Sequence, residues 1–171
     1  NFRPTAAATL YDIFVDKDSP LEGTEAGTVW DPSMGYGGRL LGAIAAGVNY
    51  IGTDPCVPTY AGLEKIRDEY GHSHKSYTLL KQGSETYIPE DNSLDFVYID
   101  GDHTYEGCLF DAMYSHKFTA LGSVLAFDDY VLGGWWGDGV IKAVSSFLGT
   151  YSSHYKLMGI YSNQCVIERI A

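Results

Sequence analysis

Short apolar runs alternate along the chain with stretches in which apolar residues recur every three to four positions. The runs predict buried strands, and the periodic stretches predict helices. The predicted strands cover residues 28–33, 49–55, 76–83, 93–102 and 123–130, followed by a hairpin over 155–170 that turns at Ser162-Asn163. The predicted helices cover residues 5–16, 37–47, 59–70, 105–118 and 140–148, and a turn covers 17–27. This alternation predicts an α/β fold, doubly wound about a mostly parallel sheet, with an antiparallel strand from the C-terminal hairpin. No internal repeat or linker interrupts the pattern, so we expect residues 1–171 to form a single domain.

Polar residues follow the predicted strands at the points where the strands end. These residues are Asp31, Asp54, Gly83-Ser84-Glu85, Asp100-Gly101-Asp102-His103 and Asp128-Asp129. Because the carboxyl ends of parallel strands meet at one edge of a sheet, we expect a binding site there, near the point where the strand order reverses.

The first predicted strand leads into a glycine-rich loop, "DPSMGYGGRL". The loop departs from the dinucleotide fingerprint G-x-G-x-x-G, because the third glycine of that pattern falls at Leu40. Asp54 ends the second strand, where an acid can accept hydrogen bonds from both hydroxyls of a ribose. The alternative is a tight strand-to-helix turn followed by a solvated aspartate.

The segments "VWDPSMGYGG" and "YIGTDP" resemble the first two motifs of class I S-adenosylmethionine (SAM)-dependent methyltransferases, and the resemblance runs from about residue 28 to the end. It implies a Rossmann-like, seven-stranded sheet with a reversed last strand. It also implies that Asp31, Gly35 and Gly37 line the methionine half of SAM, that Asp54 holds the ribose, and that Ser84 and Glu85 flank the adenine. The further cofactor-binding positions are Arg3, Thr5, Pro32, Ser33, Tyr36, Pro55, Gly83 and Asp100.

Two subfamilies fit different halves of the chain. The first half is similar to phage-type DNA adenine methyltransferases, which implies that Phe2, Arg3 and Thr5 approach the SAM carboxylate. The second half, "LDFVYIDGDHTYEG" with "LGSVLAFDDY", is similar to metal-dependent small-molecule O-methyltransferases of the macrocin and catechol type. DNA amino-methyltransferases carry (Asp/Asn)-Pro-Pro-aromatic after the fourth strand, whereas this chain has Asp100-Gly101-Asp102-His103. We therefore expect O-methylation of a small hydroxylated acceptor, with DNA adenine methylation and a non-catalytic SAM-binding module as alternatives.

Asp100, Asp128 and Asp129 follow neighbouring predicted strands, so their carboxylates would repel one another unless a cation lay between them. Mg²⁺ prefers oxygen ligands and keeps water sites that a substrate can take. The resemblance places a divalent ion on these three positions, and it places the general base three residues after the first acid. That position is Lys in the catechol type and His103 here. We therefore predict that Asp100 and His103 are catalytic; the alternatives are helix caps, solvated acids and a hydrogen-bonding histidine.

Trp135 and Trp136 follow the fifth strand in a glycine-rich segment and are interpreted as an aromatic lid over the acceptor or as surface packing. Arg39, which opens the second helix, is expected to pair with a nearby acid.

Charge and composition narrow the choice of partners. The formal net charge is −11, which disfavours a nucleic-acid surface because phosphate binding draws on clustered Lys and Arg. The three cysteines match no zinc or redox spacing, which predicts buried or inert thiols in a reducing compartment. No apolar run approaches the roughly 20 residues that cross a bilayer. We expect a cytoplasmic protein without membrane contact, with a homodimer left open.

Overall fold

A single mixed sheet organises the molecule. The computed structural model describes residues 3–16 and 27–171; Phe2 and most of the predicted turn over 17–27 lie outside the described residues. The strands of the described residues are β1 (Thr28–Asp31), β2 (Asn49–Thr53), β3 (Tyr77–Leu80), β4 (Leu94–Ile99), β5 (Thr119–Phe127), β6 (Tyr155–Tyr161) and β7 (Gln164–Arg169). Their order across the sheet is β3-β2-β1-β4-β5-β7-β6. The strands β1 to β5 pair in parallel, and β7 is antiparallel to both of its neighbours. This arrangement confirms the predicted Rossmann-like fold. The second strand of the hairpin, not the first, inserts beside β5, so β6 forms the edge.

Helices cover both faces of the sheet. They are α1 (Pro4–Phe14), α2 (Gly38–Ala46), α3 (Val57–Tyr70), α4 (Tyr105–His116) and α5 (Gly139–Thr150). One core lies between the sheet and α1, α2 and α3, and the other lies between the sheet and α4 and α5. Alternate residues of a strand enter different cores, as Val29 and Trp30 do in β1. All six residues of β4 are buried because this central strand is covered on both faces.

The ends of several elements explain where the sequence prediction and the structure differ. Gly47 closes α2 in the left-handed conformation, as expected. The strand β5 begins at Thr119, four residues before the predicted strand, and Gly122 within it has φ +89°. Glycine in this conformation is typical of a turn, so a glycine in the sequence favoured a turn at this point, and the first residues of β5 were not predicted as strand. A 3₁₀ turn over Ser84–Thr86 was also not predicted.

The cysteines and the helices bear on two further expectations. Cys108 and Cys165 are buried and free, and burial raises the pKa of these thiols to about 12 and about 11. Cys56, in the loop before α3, is free and exposed, so of the predicted buried or inert thiols two are buried and the inertness of Cys56 stays a prediction. Within the described part of the chain, none of the helices has the length and apolar character needed to span a membrane.

Candidate active site at the carboxyl edge of the sheet

Two clefts open side by side at the carboxyl edge of the sheet, where the strand order reverses between β1 and β4. The first, called here the glycine-loop cleft, has a volume of about 440 Å³ and is lined by Pro4, Ser33, Met34, Gly35, Tyr36, Gly38, Arg39, Leu41 and Asp100. The second, called the acidic cleft, has a volume of about 590 Å³ and is lined by Arg3, Ala6, Asp100, Asp128, Asp129, Ser162, Asn163 and Gln164. Asp100 borders both clefts, so it stands between a molecule bound in one and a molecule bound in the other.

The glycine loop is held in place by the acid at the end of β2. Gly35 has φ +53° and donates its backbone N–H to Asp54 Oδ2 over 2.9 Å, while Cys56 N donates to Asp54 Oδ1 over 2.7 Å. Each carboxylate oxygen can accept a further bond, so Asp54 remains able to bind a ribose hydroxyl. A Cβ on Gly37 would lie 2.8 Å from Leu63 Cδ2, so this glycine permits close packing of α2 against α3.

The remaining cofactor positions differ in their access to the clefts. Ser33, Gly35 and Tyr36 line the glycine-loop cleft, and Pro32 is buried behind it. Pro55 and Glu85 are exposed, and Gly83 precedes the 3₁₀ turn that holds Ser84.

A buried arginine joins the two clefts. Arg39 is 5% exposed, and its Nε donates to Asp31 Oδ2 over 2.7 Å. Its Nη2 donates to Asp31 Oδ1 over 3.1 Å and to the carbonyl of Ser33, and its Nη1 donates to Asp100 Oδ2. Tyr50 also donates its hydroxyl to Asp31 Oδ2, over 2.7 Å. The expected pairing of Arg39 with an acid is therefore present twice. Asp31 is fully buried beneath this arginine, and its predicted contact with SAM stays a prediction.

Ser84 lies next to an acid that the sequence analysis did not single out. Ser84 Oγ donates to Asp111 Oδ1 over 3.0 Å, and a Cβ on Gly101 would lie 3.0 Å from Asp111 Oδ2. Burial raises the pKa of Asp111 to about 6, although the bond from Ser84 opposes the shift. Asp111 was missed because it reads as an ordinary helix residue, eight positions after the acidic tetrapeptide that ends at His103.

Asp100 and Asp129 of the acidic cleft meet His103, which lines a smaller neighbouring pocket of about 270 Å³ together with Trp135 and Trp136. His103 Nε2 lies 2.9 Å from Asp129 Oδ2 and 3.6 Å from Asp100 Oδ1. One ligand atom from each of these residues lies within 4.8 Å of the others, which is a spacing that suits a metal ion. Burial raises the pKa of Asp100 to about 6, and the guanidinium of Arg39 opposes that shift. The group contains two of the three predicted ligands and the predicted base.

Asp128 faces a different set of donors, supplied by the turn of the C-terminal hairpin. Gln164 Nε2 donates to Asp128 Oδ1 over 2.7 Å, and Asn163 Nδ2 donates to Asp129 Oδ1 over 3.0 Å. Burial raises the pKa of Asp128, and the bond from Gln164 opposes it. The sequence analysis recognised the hairpin but missed the two amides. The pairing of Phe127 with Cys165 across β5 and β7 is what brings Gln164 to Asp128.

The tryptophans of the glycine-rich segment lie beside His103. The ring centres of Trp136 and Trp135 are 5.3 Å and 6.5 Å from that of His103. Trp135 is 90% exposed, and Gly133 and Gly137 on either side have φ +80° and +78°. The position suits the predicted lid, whose contact with an acceptor stays a prediction.

The N-terminal helix contributes to both clefts. Arg3 precedes α1 and lines the acidic cleft, whereas Pro4 lines the glycine-loop cleft. Thr5 is exposed in the first turn of α1. Arg3 thus lines the same cleft as Asp100, and its predicted approach to the SAM carboxylate stays a prediction.

Comparison with known proteins gives a family and a fold. A family model described as Methyltransferase domain matches residues 24–130, more than half of the chain. Uncharacterized protein R132 of Acanthamoeba polyphaga mimivirus is 32% identical over 78 residues, which cover 42% of this chain and 35% of that protein. The match thus spans about a third of the length of this curated relative.

Two solved structures share the fold over nearly the whole chain. SMU.1697c of Streptococcus mutans, solved in complex with S-adenosylhomocysteine (SAH), has a TM-score of 0.66 at 15% identity and covers 99% of each chain. A methyltransferase from Geobacter sulfurreducens has a TM-score of 0.69 at 11% identity, over 98% of this chain and 78% of that one. At these identities the likeness is one of fold.

Proposed function

Because this chain belongs to the methyltransferase-domain family, and so is a SAM-dependent methyltransferase, we propose that it methylates a hydroxyl oxygen of a small acceptor bound in the acidic cleft. The observation that carries the proposal is the cluster of Asp100, His103 and Asp129, in which Asp100 lines both clefts and Asp129 lines the acidic cleft. A methyl donor on one side and an acceptor on the other would meet beside this cluster.

The glycine-loop cleft fits the amino-acid end of SAM. Its volume of about 440 Å³ lies in the range of small-molecule sites. The space beside Gly35 is open, because a Cβ there would have only the carbonyl of Ser33 within 4 Å, at 3.7 Å. The absence of a side chain at this position leaves that space to a ligand. Asp54, with one backbone donor on each oxygen, is oriented to accept from the ribose hydroxyls. In this proposal Asp54 binds the sugar and Asp100 separates the donor from the acceptor.

His103 is the proposed general base. Its Nε2 takes the proton of the acceptor hydroxyl while the oxygen attacks the methyl carbon of SAM. The bond from that carbon to sulfur breaks as the C–O bond forms, its electron pair stays on sulfur, and SAH leaves. The charge that forms on the imidazole is stabilised by Asp129, at 2.9 Å, and by Asp100, at 3.6 Å. The two carboxylates are therefore positioned to favour the proton-accepting role.

A divalent cation is the second part of the proposal. The donor set of Asp100 and Asp129, with Asp128 next to it in the chain, fits a hard cation such as Mg²⁺ or Mn²⁺. When bound, such an ion supplies Lewis acidity that lowers the pKa of an acceptor hydroxyl. Gln164 donates to Oδ1 of Asp128 and Asn163 donates to Oδ1 of Asp129, whereas Oδ2 of Asp129 is the oxygen that lies 2.9 Å from His103 Nε2.

Charge supports a small acceptor over a nucleic acid. The formal net charge is −11, and three aspartates line the proposed acceptor cleft against a single arginine. A phosphate backbone would be repelled from such a surface. The amides and carboxylates of this cleft instead offer hydrogen bonds to a hydroxylated molecule.

The proposal is tested by methyl transfer from labelled SAM to a panel of catechols, sugars, duplex DNA and RNA. His103→Gln should lower turnover by about 10²–10⁴-fold while SAH affinity stays unchanged. The matched control is His74→Gln, which changes an exposed histidine outside the linings of the two clefts and should retain full activity. Transfer to nucleic acid alone, or full activity of His103→Gln, would overturn the assignment.

The cation is tested separately, by isothermal titration of Mn²⁺ into the protein and by turnover in EDTA. We expect Mn²⁺ to bind, Asp129→Asn to weaken that binding, and EDTA to abolish the activity. Undiminished turnover in EDTA would refute the role of the cation and leave that of His103 intact.

A further inference from the structure

The outer face of α4 carries a stripe of apolar side chains bounded by opposite charges. Glu106, Phe110, Met113 and Lys117 follow one another at spacings of four, three and four residues, which places them on one side of the helix and its C-terminal cap. Phe110 is 48% exposed and Met113 is 39% exposed. Both residues are large and apolar, and their exposure on adjacent turns of one helix is typical of an interaction surface.

An open apolar groove runs along this stripe of α4 and is bordered by Tyr151, the C-terminal cap of α5. Its volume is about 480 Å³, and it is lined by Tyr105, Glu106, Leu109, Phe110, Met113, Tyr114, Lys117 and Tyr151. The ring of Phe110 stacks on that of Tyr114, with centres 5.7 Å apart and planes inclined by 10°. The stacked rings of Phe110 and Tyr114 form an aromatic ridge beside the groove. The same surface therefore carries a ridge that could enter a groove and a groove that could receive a ridge.

The order of residues along the stripe is self-complementary. The midpoint between residues 111 and 112 relates Glu106 to Lys117 and Phe110 to Met113, because each pair is equally distant from it. A second helix of the same sequence, laid antiparallel across this midpoint, would set each acid against a base and each apolar residue against an apolar residue. An interface with twofold symmetry requires this reciprocity, in which residue i contacts j and j contacts i.

We propose that this chain forms a homodimer by antiparallel packing of α4 against α4 of a second copy. Phe110 of each copy enters the groove of the other beside Met113, and Glu106 of each copy pairs with Lys117 of the other. The opposite charges at the two ends of the stripe select this antiparallel alignment, since a parallel alignment would oppose like charges. The surface lies outside the two clefts, so the proposal is independent of the acceptor and of the cation.

A different apolar surface provides the control. The edge strand β6 exposes the apolar side chains of Leu157 and Ile160. Its residues lack the acid–apolar–base order of α4, so Ile160→Glu should leave the association unchanged. The matched disruptive variant is Phe110→Glu, which places the same new charge at the centre of the α4 stripe.

The test is sedimentation equilibrium of the whole chain, with SAH binding as the check that each variant is folded. We expect the wild type and Ile160→Glu to form dimers and Phe110→Glu to be a monomer. Glu106→Lys and Lys117→Glu, each alone, oppose like charges twice across the twofold axis, and each should raise the dimer Kd by about tenfold or more. An equimolar mixture of these two variants should regain the wild-type affinity, because in the mixed dimer each new charge meets an opposite one.

The mixing experiment decides the geometry. A monomeric wild type, a mixture of the two charge variants no tighter than either alone, or dissociation by Ile160→Glu in place of Phe110→Glu would each overturn the proposal.

Discussion

Arg39 is the residue whose removal we expect to reveal most about how this site is built. In Arg39→Met the buried stem keeps its apolar contacts, but the guanidinium that donates to Asp31, Asp100 and the Ser33 carbonyl is lost. Asp31 has no solvent exposure, and within the described part of the chain its remaining donors would be the backbone N–H of Ser33, at 3.1 Å, and the hydroxyl of Tyr50, at 2.7 Å. Removing one partner of a buried ion pair costs about 3–5 kcal/mol, because the other charge remains buried without compensation.

Most of that cost should arise at Asp31 and not at Asp100. The Asp100 side chain is 17% exposed, so water can solvate it when the arginine is gone. We therefore expect Asp31→Asn to recover a large part of the stability lost in Arg39→Met, with a coupling energy of about 2–3 kcal/mol in the double-mutant cycle. The cycle isolates the charge pair, because any change of packing at residue 39 is common to Arg39→Met and to the double variant and therefore cancels.

The measurement is the free energy of unfolding from urea denaturation at neutral pH. A loss of about 3–5 kcal/mol is a large share of the 5–15 kcal/mol that stabilises most domains, so the transition should move far to lower denaturant. Arg67→Met is the matched control, because Arg67 forms an exposed pair with the neighbouring Asp68, and its loss should change stability by less than about 1 kcal/mol. If Arg39→Met unfolds within 1 kcal/mol of the wild type, the network does not stabilise the fold as argued here.

Three further predictions concern the acids and the amides of the site. Burial raises the pKa of Asp111 to about 6 in the folded protein, so its contribution to stability is complete below pH ~4 and is lost as pH rises to ~6, by up to about 3 kcal/mol. Thermal unfolding across this pH range should therefore show a weaker dependence of stability on pH for Asp111→Asn than for the wild type. The same dependence in both proteins would contradict the argument. Gln164→Leu should cost about 1–3 kcal/mol in urea denaturation, because the buried Asp128 loses the donor at 2.7 Å, and an unaltered midpoint would show that the bond is not stabilising. Asp54→Ala should weaken SAH binding at least about tenfold in isothermal titration. Asp54→Asn can still accept the hydrogen bond from Gly35 N, so it separates support of the glycine loop from binding of the ribose. Full SAH affinity in both variants would rule out the ribose contact.

Much of the architecture followed from local patterns in the sequence. The apolar run that became β4 and the small-residue helix α2 with Gly47 at its end were predicted closely, because burial on both faces and a left-handed cap leave clear marks in a sequence. The glycine loop and the polar residues at five strand ends were also found from short segments of the sequence. Parallel strands bring their carboxyl ends to one edge, so strand ends could be listed as a site before any contact was known.

Long-range contacts explain what the sequence left open. Nothing local indicates that Asp111 reaches Ser84 from 27 residues away, or that Gln164 reaches Asp128 from 36 residues away. The predicted group of Asp100, Asp128 and Asp129 also depended on side-chain directions that no pattern encodes. In the structure Asp128 bonds to Gln164, and His103 takes the place beside Asp100 and Asp129.

The sequence by itself determined the fold class and, through its resemblance to class I SAM-dependent methyltransferases, the family. It also indicated the edge of the sheet at which the candidate site lies, because glycine positions and strand-end acids are properties of short segments. Only the tertiary structure decided which charges share a partner. Arg39 turns Asp31 and Asp100 into one buried network, although the three residues come from three separate elements spread over about 70 positions. Such pairing is set by the register of neighbouring strands and by the burial that makes an unpaired charge costly, and both arise only when the whole sheet has assembled.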